Sequence, residues 1–229
     1  MNVKVFSSDT TFAGIESDSR KTHIISLDVD AHYDASERCY KHILSSDEIS
    51  KANRFFQIHD RANFLVRKYY LRLLLSKMLS QSPENLRFDT RGNKKPIILD
   101  QEYNTSHSGK YAVIAISAKS VGIDIEKIDH SFYFDDVARR SFTNEEQRYL
   151  KENNTTHAFF HLWTRKEAIL KASGEGLINN LHLLNCVPSR VLRSGLIYEL
   201  TTFSPEADYV VSIATEPAAS EIQYWRIHP

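Results

Sequence analysis

Two long segments with helical periodicity, one in each half of the chain, most constrain how this sequence can fold. Residues 61–79 repeat leucine and tyrosine at helical spacing, which predicts a long helix with a broad apolar face. Residues 156–172 predict a second long helix, and the Gly174-Glu175-Gly176 turn is expected to end it. Each half, divided near residue 120, therefore holds one long helix, and predicted strands lie around it.

The strand predictions rest on alternating or β-branched apolar runs bounded by turn residues. They fall at residues 23–30, 86–89, 111–118, 121–126, 196–203, 209–215 and 222–227. Residues 111–118 and 121–126 are separated by Lys119-Ser120, which is close to hairpin spacing. By contrast, residues 91–96 and the polar run 103–110 are interpreted as loops.

Capping patterns predict where several helices begin. Ser45-x-x-Glu48 and Thr143-x-x-Glu146 are capping boxes, expected to open short helices that run to about residues 56 and 152. Asp60 is expected to cap the first long helix. The predicted fold class is α+β, a pseudo-twofold pair of similar subdomains, each with a long helix packed on a small, mainly antiparallel sheet. We expect the halves to comprise residues 1–119 and 120–229, with a ligand cleft between them.

Composition narrows the class of partner. The 229 residues include 29 Lys and Arg and 29 Asp and Glu, so no net basic field favours nucleic acid or an anionic membrane. Two distant cysteines, Cys39 and Cys186, form neither a disulfide framework nor a metal motif. No apolar leader or membrane-length run is evident, and the expectation is a cytoplasmic protein.

The segment Val121 to Glu126 places two carboxylates on one strand face. Asp124 and Glu126 are two residues apart, so both project to the same side while the isoleucines face the core. Converging carboxylates are hard oxygen ligands suited to Mg²⁺. On its own, however, this pattern is far more often an amphipathic strand with its polar face in water.

A second pair lies on the second long helix. Glu167 and Lys171 are four residues apart and share one helix face, a spacing that more commonly gives a surface ion pair. Together with Asp124 and Glu126 they would form a site with three carboxylates for a metal and one lysine for phosphate charge.

The polar run 103–110 offers donors for phosphate oxygens. Ser106, His107 and Lys110 supply hydroxyl, imidazole and ammonium groups, and Lys94 and Lys95 add positive charge shortly before them. The alternative is a solvated polar loop, which is the commoner origin of such a composition.

Taken together, these motifs resemble the Sfp-type phosphopantetheinyl transferases of the holo-carrier-protein synthase superfamily. The resemblance covers about residues 45–180 and is carried by four segments: Lys95-Pro96, Asn104-Thr105-Ser106-His107-Ser108, Gly122-Ile123-Asp124-Ile125-Glu126 and Trp163-Thr164-Arg165-Lys166-Glu167-Ala168-Ile169-Leu170-Lys171. It implies an enzyme that moves the 4′-phosphopantetheine arm of coenzyme A onto a serine of an apo acyl or peptidyl carrier protein, acting as a monomer.

The resemblance also implies residue roles. Asp124, Glu126 and Glu167 would bind Mg²⁺, with Mn²⁺ as a possible replacement, and Glu167 would be the general base. Lys171 and His107 would contact phosphate oxygens as the bond to the leaving group breaks. The implied coenzyme A contacts are Lys51, Lys95, Ser106, His107 and Lys171. The implied catalytic set is Glu167, Lys171, Asp124 and His107.

Two positions depart from the family pattern. Glu48 stands where a lysine can occur, and Asn63 stands where related sequences often carry a basic residue. Both departures bear on the contact to the 3′-phosphate of coenzyme A. For the carrier, a surface including Arg139, Arg140, Phe142 and Arg148 is one hypothesis, and a solvated helix face with core aromatics is the alternative the residues favour.

Two other functions are weighed against the transferase. A metal-dependent nuclease also needs clustered carboxylates and a lysine, but zero net charge and the unused 104–108 segment argue against it. A module of the same fold that binds coenzyme A or a carrier without transfer remains the alternative, and the intact set of acids and Lys171 counts against it.

Overall fold

A computed structural model of the chain describes residues 3–91, 95–98, 101–176, 179–217 and 221–229. Its strands are β1 Val3–Ser8, β2 Lys21–Asp28, β3 Asp89–Arg91, β4 Lys95–Ile98, β5 Gln101–Ser108, β6 Tyr111–Ser117, β7 Val121–Lys127, β8 Arg190–Arg193, β9 Leu196–Phe203, β10 Tyr209–Thr215 and β11 Glu221–Ile227. Its helices are α1 Val29–Ile43, α2 Ser46–Ala52, α3 Ile58–Leu79, α4 Asp135–Ser141, α5 Asn144–Asn153 and α6 Thr156–Ser173.

The strands form two sheets. The seven-stranded sheet has the order β1-β11-β2-β6-β5-β4-β3, and the four-stranded sheet has the order β7-β10-β9-β8. All pairs are antiparallel except β1 with β11 and β11 with β2. Helix α3 packs on the larger sheet and α6 on the smaller one. The α+β fold class predicted from the sequence is confirmed, whereas the division into residues 1–119 and 120–229 stays a prediction.

The apolar faces of the long helices build the core, as their periodicity predicts. Leu71 and Leu74 of α3 are buried against Ile114 and Ile116 of β6. In the other half, Ile169 lies in a buried cluster between α6 and the strands of the smaller sheet. Burying such side chains contributes roughly 1.5–3 kcal/mol each, so these faces fix where each helix lies on its sheet.

Most helix boundaries follow the capping signals. Both predicted capping boxes are present, with the Ser45 and Thr143 side chains accepting from the backbone N–H groups of Glu48 and Glu146. Helix α6 ends at Gly174, whose φ of 73° is left-handed. The cap predicted at Asp60 is wrong, because α3 begins at Ile58 and Asp60 lies in its first turn, where a carboxylate favours the helix dipole.

Other expectations are corrected by the topology. The hairpin predicted for residues 111–118 and 121–126 does not form, because β6 pairs with β2 and β5 on its two edges and has no edge free for β7. Most of the polar run 103–110, interpreted as a loop, lies in strand β5, which spans Gln101–Ser108. Helix α1 was not anticipated, and the strand predicted for 23–30 ends at Asp28, which caps that helix by accepting from Ala31 N–H. Among the described helices, none has the length and apolarity needed to cross a membrane.

Candidate functional site

The site lies where strand β5 of the larger sheet meets strand β7 at the edge of the smaller sheet. Along β5, Asn104, Ser106 and Ser108 alternate with other residues and so project to one face. Asn104 Oδ1 accepts from the backbone N–H of Ile123 at 3.0 Å, and Ser108 Oγ accepts from that of Lys127 at 3.0 Å. Side chains of β5 thus bind the backbone edge of β7 and fix the two strands relative to one another.

Asp124 is at the centre of this junction and is only 4% exposed. Its Oδ1 accepts from Lys171 Nζ at 2.6 Å and from Ser106 Oγ at 2.8 Å. Lys171 Nζ also lies 3.1 Å from Ser106 Oγ and donates to the carbonyl of Ile123 at 3.2 Å. Among the described residues, Asp124 Oδ2 is buried with no hydrogen-bond partner. One carboxylate oxygen therefore fixes the lysine while the other is an unmatched acceptor.

The other two predicted carboxylates lie near Asp124 and repel it. Burial raises the pKa of Glu126 to about 7, the negative charge of Asp124 adds to the effect, and a 2.8 Å hydrogen bond from Ser108 opposes it. Burial and then Asp124 also raise the pKa of Glu167, against the effect of Lys171. Three acids face one lysine here, so this side of the junction carries an excess of negative charge.

Gly122 explains how the helix carrying Glu167 and Lys171 comes so close to β7. A Cβ atom at this position would lie 2.1 Å from the carbonyl oxygen of Ala168 and 2.3 Å from the backbone nitrogen of Ala172. Those distances are far inside van der Waals contact, so only glycine allows α6 to pack directly on the strand. The close approach is what lets Lys171 reach Asp124.

The opposite face of β5 has a different character. Thr105 and His107 project there, toward α3, and Arg67 Nη1 donates to Thr105 Oγ1 at 3.3 Å. His107 is exposed, and partial enclosure of its ring followed by the charge of Arg67 lowers its pKa. Lys51, at the end of α2, lines a pocket with Arg67 on this side. Strand alternation thus separates His107 from Ser106, which the sequence analysis grouped together.

Three predicted cations contribute nothing that can be described at the site. Lys110 Nζ lies 3.5 Å from Asp28 Oδ2, at the start of α1, so it is engaged elsewhere. Lys95 begins β4, but its side chain is outside the described part of the structure, and Lys94 is outside it altogether.

The predicted metal ligands fit a divalent cation by their chemistry. In the described ranges, no three acidic, histidine or cysteine side chains are arranged as a closed metal centre. Nevertheless, Asp124 offers an unmatched buried oxygen. Burial, followed by the charge of Asp124, raises the pKa values of Glu126 and Glu167, and a bound cation would relieve that repulsion. An open set of carboxylates suits Mg²⁺, which keeps waters and shares substrate oxygens.

The hypothetical carrier surface is only partly exposed. Phe142 is 1% exposed and stacks on Phe159 in the core, as the alternative interpretation expected. Arg139, Arg140 and Arg148 are exposed, with Arg139 paired to Asp136.

Several residues of the site were not assigned from the sequence. Asn104, Ser108 and Gly122 belong to the motifs that carry the family resemblance, but the sequence predicts no role for them or for Arg67. Alternation along residues 104–108 would have revealed the face shared by Asn104 and Ser108, had the run been recognised as a strand.

Comparison with known proteins supports the predicted resemblance. A family model described as the 4′-phosphopantetheinyl transferase superfamily matches residues 120–216, and one described as 4′-phosphopantetheinyl transferase, N-terminal, matches residues 34–119. The chain is similar to HetI of Nostoc sp., a 4′-phosphopantetheinyl transferase, with 30% identity over 80% of this chain and 82% of the relative. It is 29% identical to the 4′-phosphopantetheinyl transferase Sfp of Bacillus subtilis, over 69% of this chain and 71% of Sfp.

A further relative, slr0495 of Synechocystis sp., is 32% identical, and the match covers 62% of each chain. The chain therefore spans less than two thirds of that relative's length. The family resemblance predicted from the motifs is confirmed by these matches.

Proposed function

Because the chain belongs to the 4′-phosphopantetheinyl transferase superfamily, we propose that it transfers the 4′-phosphopantetheine arm of coenzyme A to a serine hydroxyl of an acyl or peptidyl carrier protein. The observation that carries this proposal is Asp124, which is buried, holds Lys171 through one oxygen and keeps the other oxygen unmatched. Such an arrangement suits a substrate that brings both phosphate oxygens and a cation.

Asp124, Glu126 and Glu167 would hold Mg²⁺, and Mn²⁺ has the same preference for carboxylate oxygens. When bound, the cation supplies charge neutralisation for the pyrophosphate of coenzyme A. The acids are partly or fully buried on β7 and α6, so their positions are set by the fold before any ligand arrives.

The transfer itself needs a base, a nucleophile and a leaving group. Glu167 accepts the proton of the carrier serine, directly or through a water, and its raised pKa suits this task. The serine oxygen then forms a bond to the β-phosphorus of the pyrophosphate. The bond between that phosphorus and the bridging oxygen breaks, and adenosine 3′,5′-bisphosphate leaves with the electron pair.

Positive charge beside the phosphates stabilises the leaving group. Lys171 is held by Asp124 and Ser106 with its ammonium at the junction, where it meets the developing negative charge. We assign Ser106, Lys51 and Lys95 as coenzyme A contacts. His107, on the α3 side of β5, is a contact to a phosphate further along the nucleotide.

The division of the chain at residues 119 and 120 belongs to the same proposal, with coenzyme A lying between the halves. Side chains on β5 and α3 come from the first half, and those on β7 and α6 come from the second. The junction of β5 with β7 is the contact through which both halves contribute to one site. We propose that the protein acts as a monomer, since one chain supplies both sets of residues.

The experiment is to incubate the protein with coenzyme A, Mg²⁺ and a panel of apo carrier proteins, and to weigh each carrier by intact-mass spectrometry. A mass gain equal to phosphopantetheine is expected, and it should be lost with EDTA or in Glu167→Ala. Glu152→Ala, an exposed acid on α5, is the matched control and should keep full transfer.

The alternative function is a binding module that holds coenzyme A or a carrier protein without transferring the phosphopantetheine arm. Measurable coenzyme A binding with no mass gain on any carrier would favour that module. Absence of coenzyme A binding would contradict the transferase and leave only a module that binds a carrier protein.

A further inference from the structure

A fully buried ion pair lies behind the carboxylate site, on the side of α6 that faces away from β7. Lys166 Nζ is 2.7 Å from Glu146 Oε2, and neither side chain has any exposed surface. Residues two apart in a helix differ by about 200° of rotation, so Lys166 lies opposite Ala168, which packs on β7. Removing two charges from water is costly, so such a pair is weak evidence for stability and can instead specify geometry.

The pair joins α6 to two other parts of the fold. Lys166 Nζ also donates to the backbone carbonyl of Leu181 at 3.0 Å and to that of Leu184. Glu146 Oε1 accepts from the backbone N–H of Cys186 at 2.9 Å, and its Oε2 accepts within the capping box of α5. The three N–H bonds of the ammonium therefore each have an oxygen partner, and the pair connects α5, α6 and residues 181–188.

The preceding residue of α6 binds the same segment. Arg165 is 6% exposed and donates to the backbone carbonyls of Cys186 at 2.6 Å and Pro188 at 2.7 Å. The two residues immediately before Glu167 are thus both held by carbonyl oxygens of residues 181–188. Hydrogen bonds of this kind depend on angle as well as distance, so they fix how α6 is rotated about its axis.

The contacts on the β7 side of α6 constrain its rotation less. There the helix presents Ala168 and Ala172 to Gly122, and such small surfaces permit close approach without fixing an angle. Lys171 reaches β7 as well, but through a long and flexible side chain. Rotation matters for Glu167, because a group about 6 Å from the helix axis moves by roughly 2 Å when the helix turns by about 20°.

We propose that Lys166 and Glu146 are positioning residues, which set the rotation of α6 and thereby direct Glu167 toward the junction of β5 and β7. The inference rests on the proposed function for the role of Glu167 as metal ligand and base. Because Lys166 is fully buried on the opposite side of the helix, it acts through Glu167 and does not touch substrate.

Lys166→Met removes the ammonium at similar volume, so α6 loses its contacts to Glu146, Leu181 and Leu184. Binding of Mn²⁺, measured by electron paramagnetic resonance of the free ion, should weaken about 5- to 10-fold, because one ligand is turned away. In transfer at saturating Mg²⁺, kcat should fall about 30-fold while the KM for coenzyme A changes less than about twofold, since the misplaced group is the base. Wild-type Mn²⁺ affinity in this variant would contradict the inference.

A double variant separates positioning from stability. Lys166→Met leaves the Glu146 carboxylate buried without a counter-charge, whereas Lys166→Met/Glu146→Gln discharges it and should be more stable in urea. The ammonium contacts are still missing, so Mn²⁺ affinity and kcat should stay as low as in the single variant. Recovery of both to wild-type values along with stability would show a merely structural role and overturn the inference. If Lys166→Met does not fold, the double variant is compared directly with the wild type.

Arg72→Met is the matched control in the other half of the chain. Arg72 is 2% exposed, lies 2.7 Å from Glu48 and donates to the carbonyls of Pro83 and Leu86, so its loss removes a buried ion pair of the same kind. It should lower stability in urea and leave the Mn²⁺ affinity at the wild-type value. If it weakens Mn²⁺ binding as much as Lys166→Met does, loss of stability alone explains the effect and the inference is wrong.

The outcomes for this inference and for the proposed function are distinguishable. Mn²⁺ binding that depends on Lys166, found in a protein that modifies no carrier, would support the inference and contradict the transferase. Wild-type transfer and wild-type Mn²⁺ affinity in Lys166→Met would overturn the inference and leave the transferase standing.

Discussion

The two faces of strand β5 differ in the sign of their excess charge. On the face toward β7, three carboxylates surround one lysine, and the pKa values of Glu126 and Glu167 are raised. On the face toward α3, Arg67 and His107 have lowered pKa values, and burial is the first cause for both. Each face on its own is electrostatically unfavourable, since its charged groups are poorly solvated and incompletely matched.

The difference indicates what kind of ligand completes the molecule. A ligand with two separated phosphates and an accompanying divalent cation would relieve both faces at once, the cation at the acids and the distal phosphate at Arg67. The unmatched charges on both faces lower the stability of the folded protein, and binding of such a ligand would raise it again. The faces also differ in rigidity, because only on the first face do side chains, those of Asn104 and Ser108, accept hydrogen bonds from the backbone edge of a neighbouring strand.

The largest effect should come from Gly122→Ala, which disrupts the carboxylate face of β5 and leaves the cationic face in place. The added methyl would collide with the backbone of α6 at Ala168 and Ala172, moving Glu167 and Lys171 away from Asp124. Transfer should fall by about 100-fold, since misplacement of a catalytic group by roughly 1 Å has that order of effect. The 3′-phosphate preference, measured by isothermal titration of adenosine 3′,5′-bisphosphate and adenosine 5′-monophosphate, should survive, because the hydrogen bond between Arg67 and Thr105 joins α3 to β5 and involves no residue of α6.

Gly195→Ala is the matched control for this change. Gly195 has a φ of 79°, so alanine there introduces strain, but nothing lies within 4 Å of the added carbon. Both variants should lower the free energy of unfolding by about 1–3 kcal/mol, as measured in urea. Only Gly122→Ala should lose transfer. Equal transfer by the two variants would show that the close approach of α6 does not position the acids.

The carboxylate face could largely be anticipated from the sequence, and the reason is local. Period-two spacing puts Asp124 and Glu126 on one face of a strand, and four-residue spacing puts Glu167 and Lys171 on one face of a helix. The two long helices and the strands of the smaller sheet can be predicted from the sequence for the same reason. Bringing Asp124 and Lys171 into contact, however, required the motif resemblance, because no local rule joins α6 to β7.

The resemblance predicts Lys51 and His107 as ligand contacts, but the cationic face to which they belong could not be anticipated, because it depends on which way β5 presents its side chains. Residues 101–108 look like a polar loop, because Asn104 and Ser108 accept from the backbone edge of β7, Ser106 donates to the Asp124 carboxylate, and none of the three contributes to an apolar face. Once the run is a strand, His107 falls opposite Ser106. The false hairpin between residues 111–118 and 121–126 arose similarly, from a short connection that in fact passes between two sheets.

A smaller effect is expected from Ser108→Ala, which tests the rigidity of the acidic face. The Ser108 hydroxyl donates to Glu126 Oε2 at 2.8 Å and accepts from the Lys127 N–H, so alanine releases both groups. Binding of Mn²⁺, measured by electron paramagnetic resonance of the free ion, should weaken about 5- to 10-fold. Ser108→Thr restores the hydroxyl and should recover most of the affinity.

Ser131→Ala, which removes a hydroxyl bonded to Asp129 in an exposed turn, is the control and should not affect Mn²⁺ binding. The 3′-phosphate preference should be the same in all three variants. A change in that preference with Ser108→Ala would mean that the two faces of β5 are coupled and do not act independently.

The smallest effect is expected on the free energy of unfolding, and it comes from the excess negative charge at Glu126. The folded-state pKa of Glu126 is raised to about 7 from an ordinary 4.5, so between these values the folded protein binds the extra proton. In metal-free protein, this group should therefore reduce the free energy of unfolding as pH rises from about 4.5 to 7. Glu126→Gln removes the ionised carboxylate and should stabilise the metal-free protein at pH 8 by roughly 1–2 kcal/mol, after allowance for partial exposure.

Urea unfolding of the wild type, Glu126→Gln and the control Glu152→Gln at pH 5 and pH 8 measures this difference. Glu152 is exposed on α5, and its replacement should match the wild type at both values. Glu126→Gln should gain stability only at pH 8, while binding Mn²⁺ more weakly because a ligand is lost. If the stability difference between Glu126→Gln and the wild type were the same at pH 5 and pH 8, or if Glu126→Gln were the less stable protein at pH 8, the ionised Glu126 would not destabilise the metal-free protein.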